Sequence, residues 1–124
     1  MAENEGKYRG TKDYALVYAE LITAAKYRGT VTYQELAKIM GLPMRGSHLS
    51  RQIGTILGEI SEDEVARERP MLSAIAVGVQ GLPGPGFYTL ARNVGRLTEQ
   101  DEQTFWEAES QAVYEAWKVE LREK

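Results

Sequence analysis

The side chains best suited to chemistry lie around residues 45–52, where arginine, serine, histidine and glutamine follow closely. A guanidinium group pairs with phosphate or with a guanine edge, and the hydroxyl, imidazole and amide groups exchange hydrogen bonds with bases or backbone. A tyrosine, Tyr33, lies at the start of the preceding helix. The candidate DNA-binding residues are Tyr33, Arg45, Ser47, His48, Arg51 and Gln52.

Catalytic and metal-binding chemistry has little support in the composition. The chain has no cysteine and one histidine, which excludes a thiol nucleophile, a cysteine-based zinc site and a histidine-rich metal site. The acidic run Glu59 to Glu68 is typical of acids at a helix start, and residues 80–86 lack the Lys-Ser/Thr pair of a P-loop. We expect no enzyme activity, no metal and no cofactor.

Charge is divided unevenly along the chain. Residues 1–58 hold eight Lys/Arg and five Asp/Glu, giving +3, whereas residues 59–124 hold seven and thirteen, giving −6. Contacts with a polyanion would therefore lie in the first half. The longest apolar stretch, Leu72 to Val79, is too short to span a bilayer, and Met1 to Gly10 is not a signal peptide, so we expect a soluble cytoplasmic protein without membrane contacts.

Three helices are predicted in the first half of the chain. Apolar residues at three- and four-residue steps predict a helix over residues 11–27. Thr32 and Glu35 form a capping-box pattern, which predicts a second helix from Tyr33 to Gly41. A third helix is predicted from Ser47 to Ile60, with an apolar stripe on one side and His48, Arg51, Gln52 and Thr55 on the other.

The second half is predicted to hold a strand and a long helix. Residues 62–69 predict a separate short helical turn capped at Ser61, and Met71 to Val79 predicts a buried strand. A Gly/Pro loop over residues 80–86 follows, and Phe87 to Asn93 fits either a hairpin arm or a helical turn.

A last helix is predicted from Thr98 to about Arg122, carrying Trp106 and Trp117 on one face. We expect Trp117 to be buried, either against Val17 and Leu21 of the first helix or across a two-fold dimer contact. The order of these elements predicts one α+β, winged-helix-like domain over residues 1–124. It comprises three N-terminal helices, a short β-hairpin or wing, and a long C-terminal helical extension over about residues 98–122.

Two stretches, GTVTYQELAKIMG and RQIGTIL, carry a family resemblance. Together they resemble the C-terminal winged-helix domain of the alkylguanine-DNA alkyltransferases and alkyltransferase-like proteins, over about residues 29–57. The resemblance implies that Tyr33 presses on a phosphate and that Arg51 fills the space left by a nucleotide rotated out of the stack.

The family's catalytic Pro-Cys-His-Arg segment is absent, since the corresponding place reads Ser73-Ala74-Ile75-Ala76. Alkyl transfer is therefore excluded, and no lesion pocket is visible in the sequence. The segments RPMLSAIAV and GLPGPGFYTLA also resemble small uncharacterised prokaryotic proteins with a Pro-Gly-x-Gly-Phe turn.

We expect a non-enzymatic protein that binds duplex DNA through the third helix. The alternative is a protein-interaction module, an accessory or inhibitor in a phage or defence setting, that kept the fold without DNA binding. In that case a protein partner or a second copy would contact the C-terminal helix.

Overall fold

A computed structural model describes residues 7–43 and 47–119 of the chain. Most of these residues are helical, and only two short strands occur among them. In chain order the elements are α1 (Lys12–Lys26), β1 (Val31–Thr32), α2 (Tyr33–Met40), α3 (Ser47–Ala66), a 3-10 helix (Leu72–Ile75), β2 (Ala76–Val77), α4 (Pro85–Asn93) and α5 (Glu102–Trp117).

The first two helices begin and end where local sequence signals predict. The Thr11 side chain accepts from the Tyr14 amide and caps α1. Thr32 and Glu35 form the reciprocal capping box of α2, and Gly41 ends that helix in the left-handed conformation with φ of 71°. Both predicted helices are confirmed to within one residue at each end.

Helix α3 is longer than predicted, because it continues through the acidic run to Ala66. The separate helical turn over residues 62–69 is therefore wrong. Ser61 does not cap a new helix, because its hydroxyl accepts from the Ser73 amide at 3.1 Å and donates to Ser73 Oγ at 2.8 Å. Ser61 lies inside α3, so its hydroxyl serves this tertiary contact and no helix starts there.

The winged-helix prediction is wrong, because the segment after α3 does not form a strand and hairpin. Residues 72–75 form a 3-10 helix, and the two-residue β2 pairs in parallel with β1, with Val31 opposite Ala76. An apolar run signals burial rather than a particular backbone conformation. Here α5 stabilises the turn, since Trp106 Nε1 donates to the Ala74 carbonyl at 2.9 Å.

The segment left open between a hairpin arm and a helical turn is helical. Pro85 occupies the first turn of α4, where its missing amide hydrogen leaves no helix bond unmade and its fixed φ suits the helix. Phe87 and Ala91 then face the core at helical spacing. With this segment helical, no wing exists among the described residues.

The last helix is shorter than predicted and begins four residues later. Asp101, rather than Thr98, is its N-cap, accepting from the Thr104 amide at 3.0 Å, and α5 ends at Trp117. Part of the predicted range, residues 120–122, lies outside the described residues. Trp117 is half-buried against the core and its ring lies below the Arg69 guanidinium, 5.3 Å from ring centroid to Cζ.

A single cluster of buried side chains connects these elements. The 3-10 helix lies at its centre, with fully buried residues that contact α1, α3 and α5. The largest fully buried apolar side chains include Leu21, Leu36, Ile56, Ile60, Met71, Leu72, Ile75 and Leu97. Helix α3 thus packs one side against this cluster and leaves its other sides to form the features described next.

Candidate functional site

A cleft of about 710 Å³ lies between α3, α4, the start of α2 and the segment after β2. Its described lining contains no charged side chain. Most of the lining is apolar, with hydroxyl and amide groups at a few points. The apolar residues of the lining include Leu49, Ile53, Leu57, Val79, Phe87 and Leu90. Size and lining are both typical of a pocket for a small, neutral, largely apolar group.

Tyr33 forms one wall of the cleft and is fixed by backbone contacts. Its hydroxyl accepts a hydrogen bond from the Gly84 amide at 2.7 Å, and its ring lies against Gly78 and Gly84. A Cβ added at either glycine would lie 3.6–3.9 Å from the nearest Tyr33 atoms, which is ordinary van der Waals contact. Burial raises the pKa of the Tyr33 hydroxyl, while the Gly84 amide acts in the opposite direction, so the group stays protonated at neutral pH.

Two glycines of α3 form the facing wall. Gly54 and Gly58 are four residues apart, and both line the cleft. A Cβ atom built at either position meets nothing within 4 Å. Glycine inside a helix costs roughly 0.5–1 kcal/mol relative to alanine, and no packing contact requires it here. Residues that break a local rule without a structural reason indicate a functional surface.

The floor of the cleft carries Ser73, whose hydroxyl pairs with the buried Ser61. Ala74, which the resemblance aligns with the family's cysteine, is instead fully buried, and its carbonyl accepts from α5. Neither serine contacts a histidine or a carboxylate in the described structure, so nothing there activates a nucleophile. The floor therefore offers a polar contact rather than a reactive group.

Arg51 is exposed on α3 beside the cleft. It precedes Gly54 by three residues and Gly58 by seven, so helical geometry places all three on one stripe. The Thr55 hydroxyl donates to the Arg51 carbonyl at 2.9 Å, and no acidic side chain of the described ranges pairs with the guanidinium. An unneutralised arginine at this position suits an anionic group just outside the cleft.

Gln52 lies on a different side of α3 and is engaged by the N-terminal segment. Lys7 Nζ donates to Gln52 Oε1 at 3.0 Å, and the Tyr8 hydroxyl makes a short contact with the same oxygen. Tyr33 therefore lines the cleft and Arg51 lies on α3 beside it, whereas Gln52 joins an intramolecular contact. Arg45 lies outside the described residues, and for Ser47 and His48 only the helical backbone is described.

Beneath this contact, Glu59 holds the N-terminal segment against α3. Its carboxylate accepts from three consecutive amides, those of Lys7 at 2.6 Å, Tyr8 at 2.8 Å and Arg9 at 3.0 Å. The Arg9 guanidinium adds ion pairs with Glu62 and Asp63 at 2.9 Å. This acidic run, which precedes the helix end, therefore serves to anchor a chain segment.

The sequence does not predict the cleft, because residues far apart in the sequence form its walls. Tyr33 and Arg51 were selected by residue type, but Phe87 and Leu90 depend on whether residues 85–93 form a helix. The spacing of Gly54 and Gly58 was the one available signal, since two glycines on one helix face are unusual where stability alone decides.

Other classes of site find no support in the described chain. No group of three or more His, Cys, Asp or Glu side chains in the described ranges is arranged to hold a metal ion. Among the helices described, none has the length and apolar character needed to cross a membrane. The chain matches no protein-family model, no curated protein and no solved structure.

Proposed function

We propose that the protein binds duplex DNA along the exposed side of α3 and accepts one extrahelical nucleobase in the cleft. The observation that carries this proposal is the position of Arg51 on the same helix stripe as Gly54 and Gly58. An anionic backbone at Arg51 and a neutral ring in the cleft are the two parts of a nucleotide. The resemblance to alkyltransferase-like proteins also implies an extrahelical nucleotide, but it assigns Arg51 to the gap in the base stack, whereas the present proposal assigns it to a phosphate.

The composition of the cleft supports a base rather than a phosphate as its occupant. An anion placed among uncharged, apolar groups loses its hydration without a compensating charge. A neutral heteroaromatic ring loses less hydration free energy than an anion and packs against Ile53, Leu57 and Phe87. Ser73 and the Tyr33 hydroxyl offer it polar contacts. The phosphates would then stay outside, within reach of Arg51.

Duplex binding at two salt concentrations tests the first part of the proposal. Affinity must fall steeply between about 50 and 200 mM salt, because phosphate contacts release condensed counterions. Arg51→Ala should weaken binding by roughly 1–3 kcal/mol without changing the melting temperature. The matched control is Lys26→Ala, which removes one positive charge from the exposed end of α1. If both variants lose the same affinity for duplex DNA, the loss reflects net charge alone and contradicts a specific role for Arg51.

A cleft-filling variant tests the second part. Gly58→Leu places a branched side chain where the added Cβ meets open space, so it should obstruct the cleft while leaving the fold intact. We expect weaker binding to a duplex with an unpaired or mismatched base, whereas Gly58→Ala retains most of the affinity. If the leucine variant binds this duplex as tightly as the wild type does, the cleft is not part of the binding site.

The second half of the chain, with its charge of −6, favours the alternative of a protein-interaction module. A protein partner would not require salt-sensitive duplex binding. If the wild-type protein fails to bind duplex at low salt, this alternative replaces the DNA proposal.

A further inference from the structure

The turn at residues 78–82 places two exposed apolar side chains at the edge of the cleft. Val79 is 79% exposed and lines the cleft, and Leu82 is 48% exposed. Single apolar residues on a surface are ordinary. Two within four positions, next to a pocket, form a local apolar surface that the fold itself does not cover.

Several contacts make this turn rigid. The Gly78 amide donates to the Leu82 carbonyl at 2.9 Å, and the Gly81 amide donates to the Gly78 carbonyl at 3.0 Å. Gly81 has φ of 83°, a conformation that glycine adopts without strain. On one side the turn continues from β2, and on the other Tyr33 holds Gly84. Val79 is therefore presented in one position rather than on a mobile loop.

The turn at residues 78–82 carries no charged side chain. The three arginines of residues 69–98 are each ion-paired, Arg69 with Glu64, Arg92 with Glu102 and Arg96 with Glu109. The cleft beside the turn is also uncharged along its described lining. Glu107 of α5 lines a second cavity with Gly81, so the uncharged tip of the turn suits a contact with neutral base pairs rather than with phosphates.

We infer that the 78–82 turn is an apolar wedge that packs against the base pairs beside the extrahelical nucleotide. This inference rests on the proposed function and names a second contact for it. Some DNA-binding proteins insert apolar side chains between base steps and partly unstack them, and an exposed apolar tip beside a base-sized cleft is placed to make such a contact. A turn that is already rigid loses little conformational entropy when it makes this contact.

The experiment uses two duplexes of one sequence, each with 2-aminopurine at the target position, one fully paired and one with an abasic site opposite it. Fluorescence of 2-aminopurine rises when the base leaves the stack, and titration gives the affinity. Val79→Ser keeps the turn and removes its apolar tip. Leu16→Ser is the matched control, because Leu16 is 43% exposed on α1, which does not line the cleft.

A wedge predicts that Val79→Ser loses about tenfold in affinity for the paired duplex and most of its fluorescence rise, with a smaller loss for the abasic duplex. Leu16→Ser should match the wild type in both. If the wild type binds and Val79→Ser gives the same affinities and fluorescence, the wedge is refuted while DNA binding stands. If the wild type binds neither duplex, both proposals fail, and loss of self-association in Val79→Ser would assign the turn to a protein contact.

Discussion

The Tyr33 hydroxyl and the Gly84 amide nitrogen lie 2.7 Å apart and join the start of α2 to the residue before α4. The two positions are 51 residues apart in the sequence. Because the amide donates to the oxygen, the hydroxyl hydrogen remains for another acceptor, such as a group bound in the cleft. One side chain thus shapes the cleft wall and carries a polar group on it.

Removal of this oxygen should destabilise the protein. In Tyr33→Phe the Gly84 amide loses its acceptor in a partly buried position, so we expect the free energy of unfolding to fall by about 1–2 kcal/mol. Urea denaturation measures the change. Tyr27→Phe is the control, since Tyr27 is 76% exposed, and it should stay within about 0.5 kcal/mol of wild type. Equal stability of the two variants would show that the contact contributes nothing.

Gly58→Ala should stabilise the protein by roughly 0.5–1 kcal/mol, because alanine is the better helix former and its Cβ meets open space. Gly41→Ala provides the contrast. Gly41 has φ of 71°, which strains a residue with a Cβ, so that variant should lose stability by about 1–2 kcal/mol. Thermal melts of both variants check the two signs, and a destabilised Gly58→Ala would mean that the glycine is required by the fold.

Glu59→Gln should lower the free energy of unfolding by roughly 1.5–3 kcal/mol. Three backbone amides lose a charged acceptor, and an amide side chain offers a single oxygen in its place. Glu62→Gln is the matched control on the same helix, because the Glu62 side chain is 50% exposed and should matter by less than about 0.5 kcal/mol. Hydrogen exchange at the amides of residues 7–9 should quicken in the first variant alone.

Stability should fall at alkaline pH because of two tyrosines on α1. Burial, followed by hydrogen bonds to Asp63 and Glu64, raises the pKa values of Tyr14 and Tyr18 above their ordinary value of 10.0. Below pH 10 both hydroxyls are protonated in the folded and unfolded chains, and their contribution is complete. Above pH 10 the unfolded chain releases these protons first, so the free energy of unfolding decreases as pH rises.

Chemical denaturation between pH 8 and 11 measures this decline. A variant with Tyr14→Phe and Tyr18→Phe removes both titrating groups, so its stability should depend less steeply on pH over the upper part of the range. The two curves should run parallel below pH 10. Equal slopes above that pH would show that these tyrosines do not carry the linkage.

Local signals predicted the first half of the fold, and tertiary contacts decided the second. Thr11, Thr32 and Gly41 act through neighbours in sequence, so the helix boundaries they set are readable from sequence alone. Ser61 has the residue type of a helix cap, but its partner is Ser73, which only the folded chain brings near. By sequence alone the apolar run that follows suits a strand as well as a 3-10 helix. Contacts with α5 favour the 3-10 helix.

The candidate site was predictable only in part for the same reason. Tyr33 and Arg51 carry groups whose chemistry is recognisable in any context, and the structure places Tyr33 in the cleft wall and Arg51 on the helix stripe that carries Gly54 and Gly58. Gln52 carries equally suitable groups, yet its side-chain oxygen already accepts a hydrogen bond from Lys7. The two residues are 45 positions apart in the sequence. Residue types and spacing can identify candidate side chains. Whether a candidate is free to bind a ligand depends on its contacts with the rest of the folded chain.

The short parallel pairing of β1 with β2 also determines when the cleft can form during folding. Val31 and Ala76 are 45 positions apart, and α2 and α3 lie wholly within the loop that their pairing closes. Closing so long a loop is slower than forming either helix. Tyr33 follows β1 directly and Gly78 follows β2 directly, so the Tyr33 wall meets the lining residues that follow β2 only after this closure. A nascent or partly unfolded chain with intact helices would therefore have no ligand pocket, and protection of the Gly84 amide would report its assembly.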